Sequence, residues 1–320
     1  MCRRPSTYVV QRLSDNQKFI LKLADRRLGH RGHEVEIPWT SSLEDRLRHA
    51  VSDIQMGTIP DWIELLRDNE NPKRPDEEDW EDWAWEIATW YWKLSNYDTE
   101  LSAYRLLHRL QGRYIPRLLG VICLHITSDP TPLHPVTDIV QGLALEYIPG
   151  VCMEKLKPGI DVSEQEAERI SSQVMEGFRA IEAENCVLHN DIHLRNIVLQ
   201  EKDRSAVIID FGQAIVHAPG RSDESWMGAI YGAADTHFMR RILRDPEHGG
   251  WKKTVMPFEM SNWRYEEPLE FNEYVESLPE DFHRATFARV LDTDWEGARD
   301  NVYMWRIRPG VRCRPKHDFN

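Results

Sequence analysis

Residues 187–212, VLHNDIHLRNIVLQEKDRSAVIIDFG, constrain this chain more than any other stretch. An apolar Val-Leu leads into His189-Asn190-Asp191, Asn196 follows five residues after Asp191, and the β-prone run Ile-Val-Leu comes directly behind it. A polar break separates that run from a second one, which ends in Asp210-Phe211-Gly212. Two β-prone runs across a polar break read as a hairpin, and its return would bring Asp210 back beside Asp191 and Asn196. Gly212 is expected to permit the sharp turn that follows. Two carboxylates and an amide are hard oxygen donors. H-x-D or D-F-G alone is too short to mean much, whereas the joint pattern around a hairpin is specific. The bland reading of the same residues is a set of acidic loop ends with His189 as a hydrogen-bonded core histidine.

The pattern H-x-D-x₄-N followed by D-F-G resembles the catalytic core of the protein kinase superfamily, with a close likeness to kinase-like proteins of filamentous fungi. The resemblance runs over residues 8–240. It implies an α+β, bilobal protein-kinase-like fold, with a small β-rich N-lobe over 1–149 and a larger helical C-lobe over 150–320. It also implies ATP and Mg²⁺ as cofactors. Phosphoryl transfer asks a protein for positioning and charge neutralisation more than for covalent chemistry. Asp191, with His189 and Asn196, would form the catalytic set, and Asn196 and Asp210 would hold the metal.

Upstream, residues 8–24 read as a hairpin around Ser14-Asp15-Asn16. Lys22, inside its second run, is on local grounds either an outward strand charge or a functional cation. The resemblance makes it the lysine that holds the α- and β-phosphates. Asp98 reads as the N-cap of a helix on which Glu100, Ala103, Tyr104, Leu107 and Leu110 share a face. The resemblance makes Glu100 the ion-pair partner of Lys22, and it makes the Leu145–Ile148 stretch the hinge, with Glu146 and Ile148 facing the adenine. Strands are expected at 117–125 and 142–147. Tyr147–Gly150 is the expected break between lobes, and Ser163 with Glu166 a capping box opening a long helix with Ile170, Val174, Phe178 and Ile181 on one face.

The chain also departs from the family. No glycine-rich loop precedes Lys22, so the first strand and its phosphate cover are expected to be missing. Residues 25–75 read as polar and irregular, and 76–94 as a tryptophan-dense helix with an acidic start. Together these form an insert at about 25–95, expected either to pack over the N-lobe as a replacement cover or to dock a protein partner. Asn190 stands where many kinases carry an arginine that pairs with a phosphorylated loop, and no A-P-E follows the D-F-G. Ser222 and Ser225 read as solvated loop residues. His193 resembles the loop of aminoglycoside and choline phosphotransferases, and Arg195 resembles that of tyrosine kinases, so the hydroxyl acceptor is open between a protein and a small molecule. A pseudokinase binding module is a third reading. Residues 241–320 are expected to complete a helical C-lobe, with Arg306, Arg308, Arg312 and Arg314 in a basic, solvated tail.

Charge narrows the partners. Forty basic against fifty-three acidic residues give a net charge of −13, which argues against nucleic acid, since a phosphate backbone needs a basic footprint. Five scattered cysteines without a C-x-x-C pair suggest neither a disulfide framework nor a zinc site. No apolar run approaches the length of a membrane span. The expected compartment is the cytoplasm, with the nucleus also open.

Overall fold

The computed structural model describes residues 6–28, 38–68, 74–126, 134–217, 235–244, 279–291 and 303–308, together with Gly220, Ser222, Trp226, Trp251, Val275 and Glu276. Contacts divide the chain into two compact units. The first comprises Met1–Gly150, Gln200–Asp203 and Val207–Val216, and the second Val151–Leu199, Arg204–Ala206 and His217–Asn320.

The first unit carries a four-stranded antiparallel sheet in the order β1-β2-β4-β3, with β1 at Ser6–Gln11, β2 at Lys18–Leu23, β3 at Leu118–His125 and β4 at Ile139–Glu146. The β1–β2 turn is closed by Arg12 N–H to Gln17 O (2.9 Å) and Asn16 N–H to Arg12 O (2.8 Å), and Asn16 takes the left-handed φ of 59° that asparagine tolerates. Register sets Lys22 opposite Leu143. Glycine is required at position 142, because a Cβ there would stand 2.6 Å from the Lys22 carbonyl oxygen.

Among the described residues between β2 and β3 lie three α-helices: α1 at Ser41–Gln55, α2 at Trp62–Arg67 and α3 at Asp82–Leu106. The irregular stretch expected over 25–75 therefore holds two helices. Each has a side-chain cap: Thr40 accepts from Leu43 N–H, and Asp61 accepts from Ile63 and Glu64 N–H. The buried set of α1 is Leu43, Leu47, Ala50 and Val51, with Ile54 packed at its edge, a narrow stripe among charges whose period is easily lost. The two helices expected at 76–94 and from 99 onward are one continuous helix of 25 residues, so Asp98 lies inside it and caps nothing. Ser95-Asn96-Tyr97-Asp98 looks like a break by propensity. Burial of Tyr97, Glu100 and Leu101 on the same helix overrides that weak preference.

Three tryptophans of the insert turn fully inward, while Trp39 is exposed. Trp62, Trp80 and Trp85 are buried with Leu47, Val51, Leu65 and Leu66 in a core of their own. Trp62 meets Trp80 edge-on at 5.6 Å between ring centroids, and Trp80 lies 4.7 Å from Trp85, spacings at which aromatic pairs attract beyond their buried area. This packing gives no support to a partner docking through the tryptophans; the helices α1 and α2 bury their apolar faces against the first half of α3.

In the second unit, α5 spans Glu164–Ala183, named after the single turn α4 at Pro135–Asp138. Ser163 accepts from Glu166 N–H at 3.2 Å, and Ile170, Val174, Phe178 and Ile181 are all buried, as their spacing predicts. Trp226 stacks on His217 (4.9 Å, 2° between planes) and donates from its indole nitrogen to Asn185. Ser222 is exposed; Ser225 lies outside the described residues. Toward the C-terminus, helix Glu280–Thr286 is followed by an antiparallel hairpin, Phe287–Leu291 with Tyr303–Ile307. That hairpin stands where only helices are expected, and it takes Arg306 out of the tail; Arg312 and Arg314 lie outside the described residues. Among the described residues no helix is long and apolar enough to cross a membrane.

The insert core makes a direct prediction. Leu47 is fully buried, so Leu47→Ala should cost about 2–5 kcal/mol of stability, read as an earlier midpoint in a urea titration followed by tryptophan fluorescence. A loss below about 0.5 kcal/mol, the scale of a neutral surface change, would mean that this core is not packed as described.

Candidate active site

Within the first unit, β2 presents Lys22 and α3 presents Glu100, 78 residues apart in sequence, so that the Lys22 ammonium donates to both carboxylate oxygens at 2.7 and 2.9 Å. The same ammonium donates to Asp210 Oδ1 at 2.8 Å. Lys22 and Glu100 are buried, whereas the Asp210 side chain keeps about a quarter of its surface. Burial alone would lower the Lys22 pKa, but the two carboxylates outweigh it and hold the pKa above the usual lysine value. Burial raises the Glu100 pKa, with Lys22 pulling it down and the nearby Asp210 carboxylate pushing it up. One ammonium between two carboxylates sums to a charge of −1, an arrangement that favours a further cation at the more exposed member, Asp210.

Asp210 is held from both sides in sequence. Ile208 N–H donates to Tyr114 O at 2.8 Å, and Phe211 is fully buried, edge-on to Tyr104 at 5.5 Å. Tyr104 follows Glu100 by one helical turn, so α3 supports both the ion pair and Phe211. Its hydroxyl pKa is driven well above the usual value by burial and by the Glu100 and Asp210 carboxylates. The turn at Asp-Phe-Gly places the unusual conformation on Asp210, at φ 70°, and not on Gly212, which has an ordinary φ. A left-handed non-glycine residue costs of the order of 1–3 kcal/mol and persists only where its surroundings dictate it. Here the Lys22 contact and the buried Phe211 do so.

In the second unit, Asp191 and Asn196 meet. The Asn196 amide donates to the Asp191 carbonyl at 2.8 Å and to Asp191 Oδ2 at 2.9 Å, which leaves the Asn196 carbonyl oxygen to accept or to ligate. Asp191 Oδ1 takes Arg195 at 3.2 Å and has His193 Nε2 at 3.5 Å. His189 is fully buried, its ring edge-on to Phe178 at 5.9 Å. Its carbonyl accepts from Asp191 N–H at 2.9 Å, so it shapes the loop from within. Asn190 makes the turn at a left-handed φ of 60°.

Sequence reading missed the residue that holds this loop. Asp235, at the start of helix Asp235–Arg244, accepts from His189 N–H at 2.5 Å and from Asn190 N–H at 3.0 Å. Its only signal in sequence is an acidic residue opening a helix, and nothing in the spacing ties it to position 189. Glu146 belongs to β4 and pairs with Arg117 (2.7 Å), while the Ile148 amide makes no hydrogen bond among the described residues.

Asp235 carries a pH signature. Burial, with a smaller push from Glu182 and against the two backbone donors, raises its pKa from 3.8 to about 7. Because the folded value lies above the unfolded one, the native chain holds a proton that the unfolded chain has released between about pH 4 and pH 7. Its contribution to stability should therefore fall as pH rises through that window. The unfolding temperature of the native chain minus that of Asp235→Asn should decline from pH 4 to pH 7; a flat or rising difference would overturn the assignment.

Residues 99–235 match the protein kinase domain family. The match takes in Glu100, His189, Asp191, Asn196, Asp210 and Asp235 and begins after Lys22, whose place rests on its contacts. Over 70 residues the chain is 34% identical to serine/threonine-protein kinase D of Synechocystis sp., an alignment covering 22% of this chain and 13% of that protein. The chain thus spans a small part of the curated relative it matches. With the contacts of Glu100, Asp191, Asn196 and Asp210 inside the matched stretch, these likenesses support a protein kinase-like superfamily for residues 99–235.

Proposed function

We propose that the chain is an ATP- and Mg²⁺-dependent phosphotransferase that passes the γ-phosphate to a serine or threonine hydroxyl of a protein, within a bilobal kinase fold. The observation that carries the proposal is the buried Lys22 ammonium shared by Glu100 and Asp210. A scaffold gains nothing from burying such a trio, because taking charges out of water costs more than a well-packed apolar replacement would.

The donor chemistry fits the metal. No three His, Cys, Asp or Glu side chains gather into a metal cage among the described residues, and Mg²⁺ ordinarily takes one or two carboxylates and completes its shell from phosphates and water. The Asp210 carboxylate in the first unit and the Asn196 carbonyl oxygen in the second are the donors that would suit it. When bound, Mg·ATP supplies the transferable phosphoryl group with its charge partly neutralised. Lys22 would pair with the α- and β-phosphates, with Glu100 fixing its direction. The free Ile148 amide, and the Glu146 carbonyl, would meet the adenine edge. Asp191 would orient the acceptor hydroxyl and take its proton, and His189 positions that loop. A general base contributes about 10²–10⁴-fold, so Asp191→Asn should lose that much transfer rate while Mg·ATP still raises the unfolding temperature. In Asp210→Asn the Mg²⁺-dependent part of that rise should vanish. An Asp191→Asn variant with native turnover would sink the assigned role.

A small-molecule acceptor is the second reading. It is favoured by His193 lying 3.5 Å from Asp191 Oδ1, where protein serine/threonine kinases carry a lysine. Parallel ATP-consumption assays with a peptide library and a metabolite panel separate the two; no Mg·ATP binding at all would favour a pseudokinase. The cytoplasm, with its millimolar Mg·ATP, is the compartment this reading suits.

A further inference from the structure

Three charged side chains of α3 stand seven residues apart: Glu86, Lys93 and Glu100. Seven residues turn an α-helix through nearly two full turns, so all three lie on one face, each about 10.5 Å along the axis from the next. Each is only 2% exposed. All three face the short segment formed by β2 and the residues that leave it. Glu100 takes Lys22. Lys93 donates to the carbonyls of Asp25 (2.7 Å) and Leu28. Glu86 takes Arg26 at 2.7 Å, and the same guanidinium also reaches Glu44 of α1 and donates to Val136 O at 2.9 Å. Arg26 and Asp25 are themselves buried, and Asp25 is paired with Arg27 at 2.8 Å.

The order of charges along this seam is informative. Going down the helix it reads minus, plus, minus; the opposing segment offers a guanidinium, then carbonyls beside a carboxylate, then an ammonium. A slip of α3 by one seven-residue step would set Lys93 against Lys22 or Arg26, buried like charges that strongly disfavour one another. Smaller slips or rotations turn the charged face away and leave buried groups without partners. The tryptophan core alone does not specify register in this way, since apolar contacts are non-directional.

We infer that Glu86 and Lys93 are positioning residues for the Lys22–Glu100 pair, and that the insert is a built-in brace which keeps α3 docked in the free chain, with no ligand, phosphate or partner needed to bring Glu100 to Lys22. The inference rests on the phosphotransfer reading for the purpose of the pair, but its test needs no nucleotide. The rate at which an amine-acylating reagent modifies Lys22 in the full chain, followed by peptide mass spectrometry, reports whether the ammonium is buried and paired. Lys93→Met should raise that rate about tenfold or more, because the Lys22 ammonium loses its buried, paired setting, and Lys93→Arg, which keeps the charge, should restore protection. Leu47→Ala, which weakens the insert core while keeping every charged residue of the seam, should leave the Lys22 rate within about twofold at a matched loss of unfolding temperature. Equal labelling in Lys93→Met and Leu47→Ala would reduce the seam to ordinary structure and overturn the inference.

Hydrogen exchange on the unaltered chain keeps the question open to refutation if Lys93→Met fails to fold. Amides of 97–104 should open together with those of 85–93, as one cooperative unit. Exchange of 97–104 about a hundredfold faster would show α3 released at its functional end, and the brace would be wrong. Failure of Mg·ATP to bind, with both seam results intact, would overturn the phosphotransfer reading alone.

Discussion

The buried contact between Lys22 and Glu100 is the constraint on which the first unit turns. Holding an ammonium and a carboxylate out of water costs several kcal/mol per ion before their attraction returns any of it, so the surrounding structure must fix both ends closely. Sheet register fixes one: β2 lies between β1 and β4, and Gly142 lets β4 approach the Lys22 backbone. Helix α3 fixes the other, and its N-terminal half is anchored in the tryptophan core and by Arg26 and Lys93.

That anchoring changes the meaning of the long insert. Trp62, Trp80 and Trp85 fill a core of their own and leave the polar face of α3 to be satisfied by the chain leaving β2. One rigid helix then carries, in order, the tryptophan packing, Lys93, Glu100 and Tyr104, and Tyr104 supports Phe211 behind Asp210. Elements distant in sequence reach Asp210 through contiguous packed groups within a single unit.

The second unit solves a different problem, the presentation of a carboxylate at the end of a loop. Asp191 has one oxygen on Asn196 and the other on Arg195, while the backbone ahead of it hangs from Asp235. A buried carboxylate accepting two backbone N–H groups is a stiff support for a loop that cannot form regular hydrogen bonds of its own. The raised pKa of Asp235 is the consequence of that burial.

Much of this was legible in the sequence. The H-x-D-x₄-N and D-F-G elements singled out Asp191, Asn196 and Asp210 through their likeness to the kinase catalytic core at a local spacing. The capping pattern at Ser163 and the apolar stripe of α5 followed from helical period. Lys22 and Glu100 were found only through family likeness, since no local rule connects residues 78 apart. The continuity of α3 through Asp98 was misread, because burial outweighs a few tenths of a kcal/mol of propensity. The helices of the insert were missed, as their charges hide a narrow apolar stripe. The seven-residue series Glu86, Lys93, Glu100 stood in plain view, yet a buried charge and a solvated one are written with the same letter. Residue type and local spacing determined which groups this protein has for its chemistry; only tertiary structure decided which of them are taken out of water and paired, because desolvation depends on everything that packs around a side chain and not on its neighbours in sequence.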